Sequence, residues 1–137
     1  MPVPIVAQQY PHHFQIVTCP INHTLEAPTL LTIPVFYVES RGTGTGIVID
    51  SIVIGINVVE GTAETVEVVH ATTVQASSGL TSVQTTPTSV DALGTTLPTI
   101  NTANNFVPAG SWVLLKFDAA QGQVHGAVQI RFRSQIA

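Results

Sequence analysis

The chain has 137 residues, which fits one domain of ordinary size and leaves no room for a second catalytic module. Charged residues make up 9% of it, against ~25% in an average soluble domain, while hydrophobic residues reach 45%, so the composition argues against intrinsic disorder. Four Lys and Arg residues against eight Asp and Glu provide no basic surface for a phosphate backbone, and nucleic acid is not an expected partner.

Neutral polar residues, above all Thr, replace charge on the predicted surface. Protein interfaces are depleted in Lys and Glu, so we expect a subunit of an assembly. The alternative is a monomer with a threonine-rich β surface, because Thr is favoured in strands. The single cysteine, Cys19, excludes a disulfide within the chain, and the fold must depend on core packing.

Residues 1–13 are predicted to form an extended N-terminal arm. Pro2, Pro4 and Pro11 disfavour helix there, as does the effect of each proline on the residue before it. We expect this arm to contact a neighbouring subunit, with Pro2, Pro4 and Tyr10 as candidate contacts. The N-terminus shows no secretory signal, and the apolar run from Ile47 to Val59 is too short and too interrupted to span a membrane, so no membrane association is expected.

From His13 onward, runs of Val, Ile, Thr and aromatic residues broken by Gly, Pro and Asn predict strands. Pro34 requires its strand to bulge, to lie at an edge or to be two pieces. Turn residues at 60–62 and 119–123 predict two hairpins. The Ser-, Thr- and Pro-rich stretch of about 75–110 predicts a long connection with one or two short strands, of the kind that forms binding surfaces. The predicted strands are 14–18, 30–39, 46–59, 64–74, 80–86, 111–118 and 124–134.

The final strand shows the clearest alternation. Even positions from Val124 to Phe132 are apolar and predict a buried face, whereas His125, Gln129, Arg131 and Arg133 fall on the other face. In the preceding strand Trp112 and Leu114 lie opposite the core face, and leaving them bare would be costly, so a loop or another subunit should cover them. Trp112 is therefore also a candidate partner contact.

These elements predict a single antiparallel β-sandwich over residues 14–137. A jelly roll is preferred to an immunoglobulin-like layout, because the Cys-Trp-Cys pattern of the latter is absent. The strip of His125, Gln129, Arg131 and Arg133 has two interpretations. It pairs with acidic residues on a partner, or it only keeps an exposed strand soluble.

No pattern for catalysis, cofactor or metal binding is found. The glycines of residues 41–46 lead into a strand and not a helix, which argues against a phosphate loop. The five histidines include no His-x-His pair that would point two imidazoles to one side of a strand. The nucleophile elbow Gly-x-Ser-x-Gly is missing. We therefore expect neither an enzyme nor a bound cofactor.

Two segments, Asn-Phe-Val-Pro-Ala-Gly-Ser-Trp-Val-Leu-Leu-Lys-Phe-Asp over 105–118 and Gly-Ala-Val-Gln-Ile-Arg-Phe-Arg over 126–133, resemble the closing hairpin of small jelly-roll virion proteins of tailed bacteriophages. Those families include capsid decoration, or cement, proteins and the trimeric heads of tail fibres. The resemblance implies a structural protein on the outer surface of the virion capsid. It would bind the major capsid protein, form homotrimers and be synthesised in the host cytoplasm.

Two alternatives stay open. The first is a tail-fibre or receptor-binding head, in which the long loop and Trp112 would contact a host surface glycan. The second is a metal-dependent jelly-roll enzyme, whose metal ligands would have to come from distant parts of the chain.

Overall fold

A computed structural model describes residues 14–25, 29–39, 44–61, 64–74, 78–89, 93–119 and 122–136, so the arm predicted over 1–13 lies outside the described residues. All regular elements within these ranges are strands. They are β1 (Phe14–Leu25), β2 (Thr29–Tyr37), β3 (Gly44–Gly61), β4 (Glu64–Ala71), β5 (Thr81–Ser82), β6 (Thr88–Ser89), β7 (Gly94–Thr96), β8 (Phe106–Pro108), β9 (Trp112–Ala119) and β10 (Gly122–Ile136).

The strands form two antiparallel sheets, which confirms the predicted all-β sandwich. Sheet I has the order β1-β10-β3-β7, and β8 also pairs with β3. Sheet II has the order β2-β9-β4-β5, and β6 also pairs with β4. All strand pairings found among the described residues are antiparallel.

Both predicted hairpins are wrong. β3 belongs to sheet I and the following β4 to sheet II, while β9 belongs to sheet II and β10 to sheet I. β3 and β4 therefore do not pair with each other, and neither do β9 and β10. A strand buries one face on the common core whichever sheet it joins, so alternation and turn residues look the same in both cases.

The core lies between the sheets, and the predicted buried face of β10 is confirmed. Val124, Val128 and Ile130 are fully buried, and Phe132 nearly so. Sheet II contributes inward side chains from β4 and β9 to the same cluster, among them Val66, Val68, Val113, Leu115 and Phe117.

The long strand β3 changes its inward face part of the way along. Ile47 and Ile49 are buried, and after a shift of one residue Ile52 and Ile54 are buried too. The shift is a β-bulge, because Arg131 pairs with Ser51 while Phe132 pairs with Ile49. The extra residue is Asp50. This irregularity explains why the predicted run 46–59 shows no simple alternation.

Pro34 lies on an edge strand and next to a bulge, two of the positions that the sequence predicted for it. β2 is at the edge of sheet II, and its register with β9 shifts between Pro34 and Phe36. The first strand is longer than predicted, because β1 continues through Cys19 and Pro20 to Leu25. β1 is also an edge strand, where a missing backbone N–H is tolerated.

The expected cover over the outer face of sheet II is present and comes from the chain itself. Leu114 is fully buried on this face with Val69 and Ala71, and Leu80 and Trp112 pack against them. The segment after β4 is tied to the sheet by the Thr32 hydroxyl, which donates to the carbonyl of Val74 at 3.3 Å.

The predicted strand 80–86 is much shorter in the structure. β5 contains only Thr81–Ser82, and Gln84 makes an isolated bridge to Ile100. The long connection also contains β6, β7 and β8, so its described part has more short strands than predicted. These pieces supply the outermost positions of both sheets beside β3 and β4.

Candidate functional site

The predicted cationic strip lies on the outer face of sheet I. Its members alternate along β10 with the buried Val128, Ile130 and Phe132. Gln129 and Arg131 are exposed, whereas His125 and Arg133 are partly buried among their neighbours. The alternation of the last strand thus placed these four side chains on the correct face.

A row of side chains crosses this face at the level of Arg133. Phe14 on β1 pairs with Arg133, Arg133 pairs with Val48 on β3, and Val48 pairs with Phe106 on β8. Phe14 and Phe106 at the two ends of the row are 48% and 39% exposed. Side chains from four strands that are distant in sequence therefore form one row, in which Arg133 lies between two exposed phenylalanines.

The next row continues the same surface. Ile16 on β1 pairs with Arg131, which pairs with Ser51 on β3. Ile16 is 58% exposed, and the guanidinium carbon of Arg131 lies over the ring of Phe14, 4.5 Å from its centroid. We call Phe14, Ile16, Val48, Phe106, Arg131 and Arg133 the arginine face.

The described cations differ in their partners. Arg133 Nε lies 3.3 Å from Asp50 Oδ2, and Lys116 Nζ lies 3.2 Å from Glu67 Oε1 on sheet II. No carboxylate of the described residues lies within ion-pair distance of Arg131. Arg131 therefore adds a positive charge to the arginine face that no described acidic residue neutralises.

Sequence reasoning missed the apolar members of this face. Phe14 and Ile16 alternate with Val17 and Cys19, so both faces of this strand carry apolar side chains. This pattern could have predicted that one apolar face of the strand is exposed. Phe106 and Val48 gave no such signal. Their position on the face depends on the pairing of β3 with β8, which is a long-range contact.

The other residues predicted to contact a partner are not among the described members of the arginine face. Trp112 lies on the outer face of sheet II, partly buried, with its ring 5.1 Å from that of Tyr37 between centroids. It belongs to the opposite sheet from Arg131 and Arg133, so the structure does not bring these candidates together. Pro2, Pro4 and Tyr10 lie outside the described residues.

His70 has an unusual environment for a titratable group. It pairs with the core residue Val113 in register, and its Nε2 is buried without a hydrogen-bond partner. Burial lowers the pKa of this imidazole, and a hydrogen bond to the backbone of Asn104 partly offsets that effect. The described residues include no group of three or more His, Cys, Asp or Glu side chains able to hold a metal ion.

An open recess of about 430 Å³ lies at one end of the sandwich. Phe36 and Phe132 line it, stacked with ring centroids 5.0 Å apart, together with the polar residues Gln15, Glu39 and Ser134. The described residues that line the recess include one carboxylate, that of Glu39, and no histidine.

The sequence matches no known family model, and no curated protein is significantly similar to it. In the part of the chain that the structure describes, no helix is long and apolar enough to cross a membrane.

Proposed function

We propose that this chain is a structural protein of a tailed-bacteriophage virion. It is a capsid decoration protein that binds the major capsid protein on the outer surface of the head and stabilises the shell as a homotrimer. The arginine face is the surface that makes contact with a partner.

The observation that carries the proposal is the exposure of Phe14, Ile16 and Phe106 on one sheet face beside two arginines. Single exposed apolar residues are ordinary on a monomer, but a contiguous band of them marks an interaction surface. Aromatic residues and arginine are the types enriched in the centres of protein interfaces.

The strand order supports the jelly-roll assignment, which is the fold of the virion proteins that residues 105–118 and 126–133 resemble. If β7 and β8 are counted as one interrupted edge, sheet I has four positions, and β5 with β6 complete sheet II in the same way. β1 to β4 alternate between the sheets along the chain, β5 and β6 stay with β4 in sheet II, β7 and β8 return to sheet I, and β9 and β10 lie in sheets II and I. Eight positions of this kind are what two Greek keys in a jelly roll provide.

Stabilisation of a shell follows from bridging. A subunit that contacts two capsid proteins binds only when they are assembled, so its binding free energy favours the assembled state. This role requires a rigid scaffold and complementary surfaces, and it requires no reacting groups.

The experiment is to measure copy number by quantitative mass spectrometry of purified source particles, relative to the major capsid protein. A decoration protein gives a ratio near one or a simple fraction of it. A few copies per particle would contradict decoration and favour the tail-fibre alternative, and absence from particles would contradict both.

A further inference from the structure

We infer that Arg131 binds a carboxylate at the centre of an apolar patch on the partner. The inference rests on the proposed function, and it specifies the chemistry of the capsid surface that the arginine face recognises. The partner surface presents an Asp or Glu surrounded by apolar side chains.

The first argument is charge. Three of the four Lys and Arg residues lie in the described part of the chain, and two of them already have carboxylate partners, Arg133 with Asp50 and Lys116 with Glu67. Arg131 has none among the described residues, although it is exposed and lies at the middle of a sheet face. Its complement is a negative charge supplied from outside.

The second argument is the geometry of the guanidinium group. Its carbon lies 4.5 Å from the centroid of the Phe14 ring, which attracts the cation and limits its freedom. A planar guanidinium donates hydrogen bonds in its own plane, so contact with a ring leaves donors for a bidentate carboxylate. Because the group is already held, less side-chain entropy is lost on binding.

The third argument is the surroundings. Ile16 pairs with Arg131 in register, and Phe14 lies diagonally from it. When a partner covers these apolar groups, water is excluded around the ion pair and its electrostatic attraction increases. A lone unpaired arginine among apolar groups suits a protein carboxylate better than a polyphosphate, which requires several cations.

The test measures binding of purified protein to source heads stripped of this chain, at about 0.05 M and about 0.5 M salt. Arg131→Gln removes the charge, and Arg131→Lys keeps it without the two-pronged donor geometry. Lys116→Gln is the matched control, because it removes the same charge from the opposite sheet at a residue already paired with Glu67. Circular dichroism and sedimentation of each variant monitor folding and self-association.

We expect Arg131→Gln to weaken attachment on the order of tenfold to a hundredfold and to reduce its salt dependence, with Arg131→Lys intermediate. Lys116→Gln should change attachment little. Equal losses in Arg131→Gln and Lys116→Gln, or no loss in Arg131→Gln, would overturn the inference while decoration stands. Loss of self-association in place of head binding would make a second copy the occupant and also overturn it. Failure of the wild-type protein to bind heads would overturn the proposed function and the inference with it.

Discussion

The side chain of Gln84 replaces a missing piece of strand beside Val68. Its Oε1 accepts the backbone N–H of Val68 at 2.8 Å, and its Nε2 donates to the carbonyl of Thr86 and to the hydroxyl of Thr88. β5 and β6 pair with the two ends of β4, and the amide spans the gap between them. One nearly fully buried side chain therefore holds the edge of sheet II together.

Replacing Gln84 with Ala should destabilise the fold by about 2–4 kcal/mol, because the Val68 N–H and the Thr88 hydroxyl each lose a buried hydrogen bond and a cavity forms. Thr85→Ala is the control, since Thr85 is an exposed neighbour, and it should change stability by less than about 0.5 kcal/mol. Urea unfolding followed by circular dichroism measures both. Equal midpoints for the two variants would show that the amide contributes nothing.

Gly126 and Gly55 should differ sharply in their tolerance of a methyl group. A Cβ at Gly126 would collide with the carbonyl oxygen of Gly55, whereas a Cβ at Gly55 would meet nothing closer than 4.0 Å. The close approach occurs at the register shift between Gly126 and His125. Gly126→Ala should cost more than about 3 kcal/mol or prevent folding, and Gly55→Ala should cost less than about 1 kcal/mol. Thermal unfolding of the two variants measures the difference in their stability. A Gly126→Ala protein as stable as the Gly55→Ala protein would contradict the prediction.

Stability should fall on mild acidification because of His70. Burial lowers its pKa in the folded state, so the unfolded chain binds more protons once the pH drops below the unfolded value of about 6.5. The contribution is complete above that pH and is lost as the pH falls from there towards the lowered folded-state pKa. His70→Asn should flatten the curve of unfolding free energy against pH in this window. An unchanged slope in the variant would assign the acid sensitivity to other groups.

Deletion of residues 1–13 tests the predicted arm. The shortened chain should keep the β signal in circular dichroism, because the described sandwich begins at Phe14. Its attachment to heads should weaken, because the contacts predicted for the arm are lost. Normal decoration by the shortened protein would show that the arm assignment is wrong.

The sequence alone was sufficient for properties that local pattern encodes. The strand content and the buried face of β10 follow from the alternation of apolar residues. The position of Pro34 follows from the missing N–H of proline. The cover over Leu114 was also predictable, because a large apolar side chain on an outer face needs one. Each of these expectations was drawn from residues within one strand, although Leu80, which covers Leu114, is distant from it in the chain.

Only the tertiary structure decided which strands pair and hence which side chains meet. Alternation shows that a strand has one exposed and one buried face. Strands of both sheets bury their inner faces in the same core, so alternation does not show which strands pair. The two predicted hairpins, β3 with β4 and β9 with β10, were therefore wrong. The row from Phe14 through Arg133 and Val48 to Phe106 depends on three pairings between distant strands. Complementary packing across the whole sandwich selects those pairings, and no single segment contains that information.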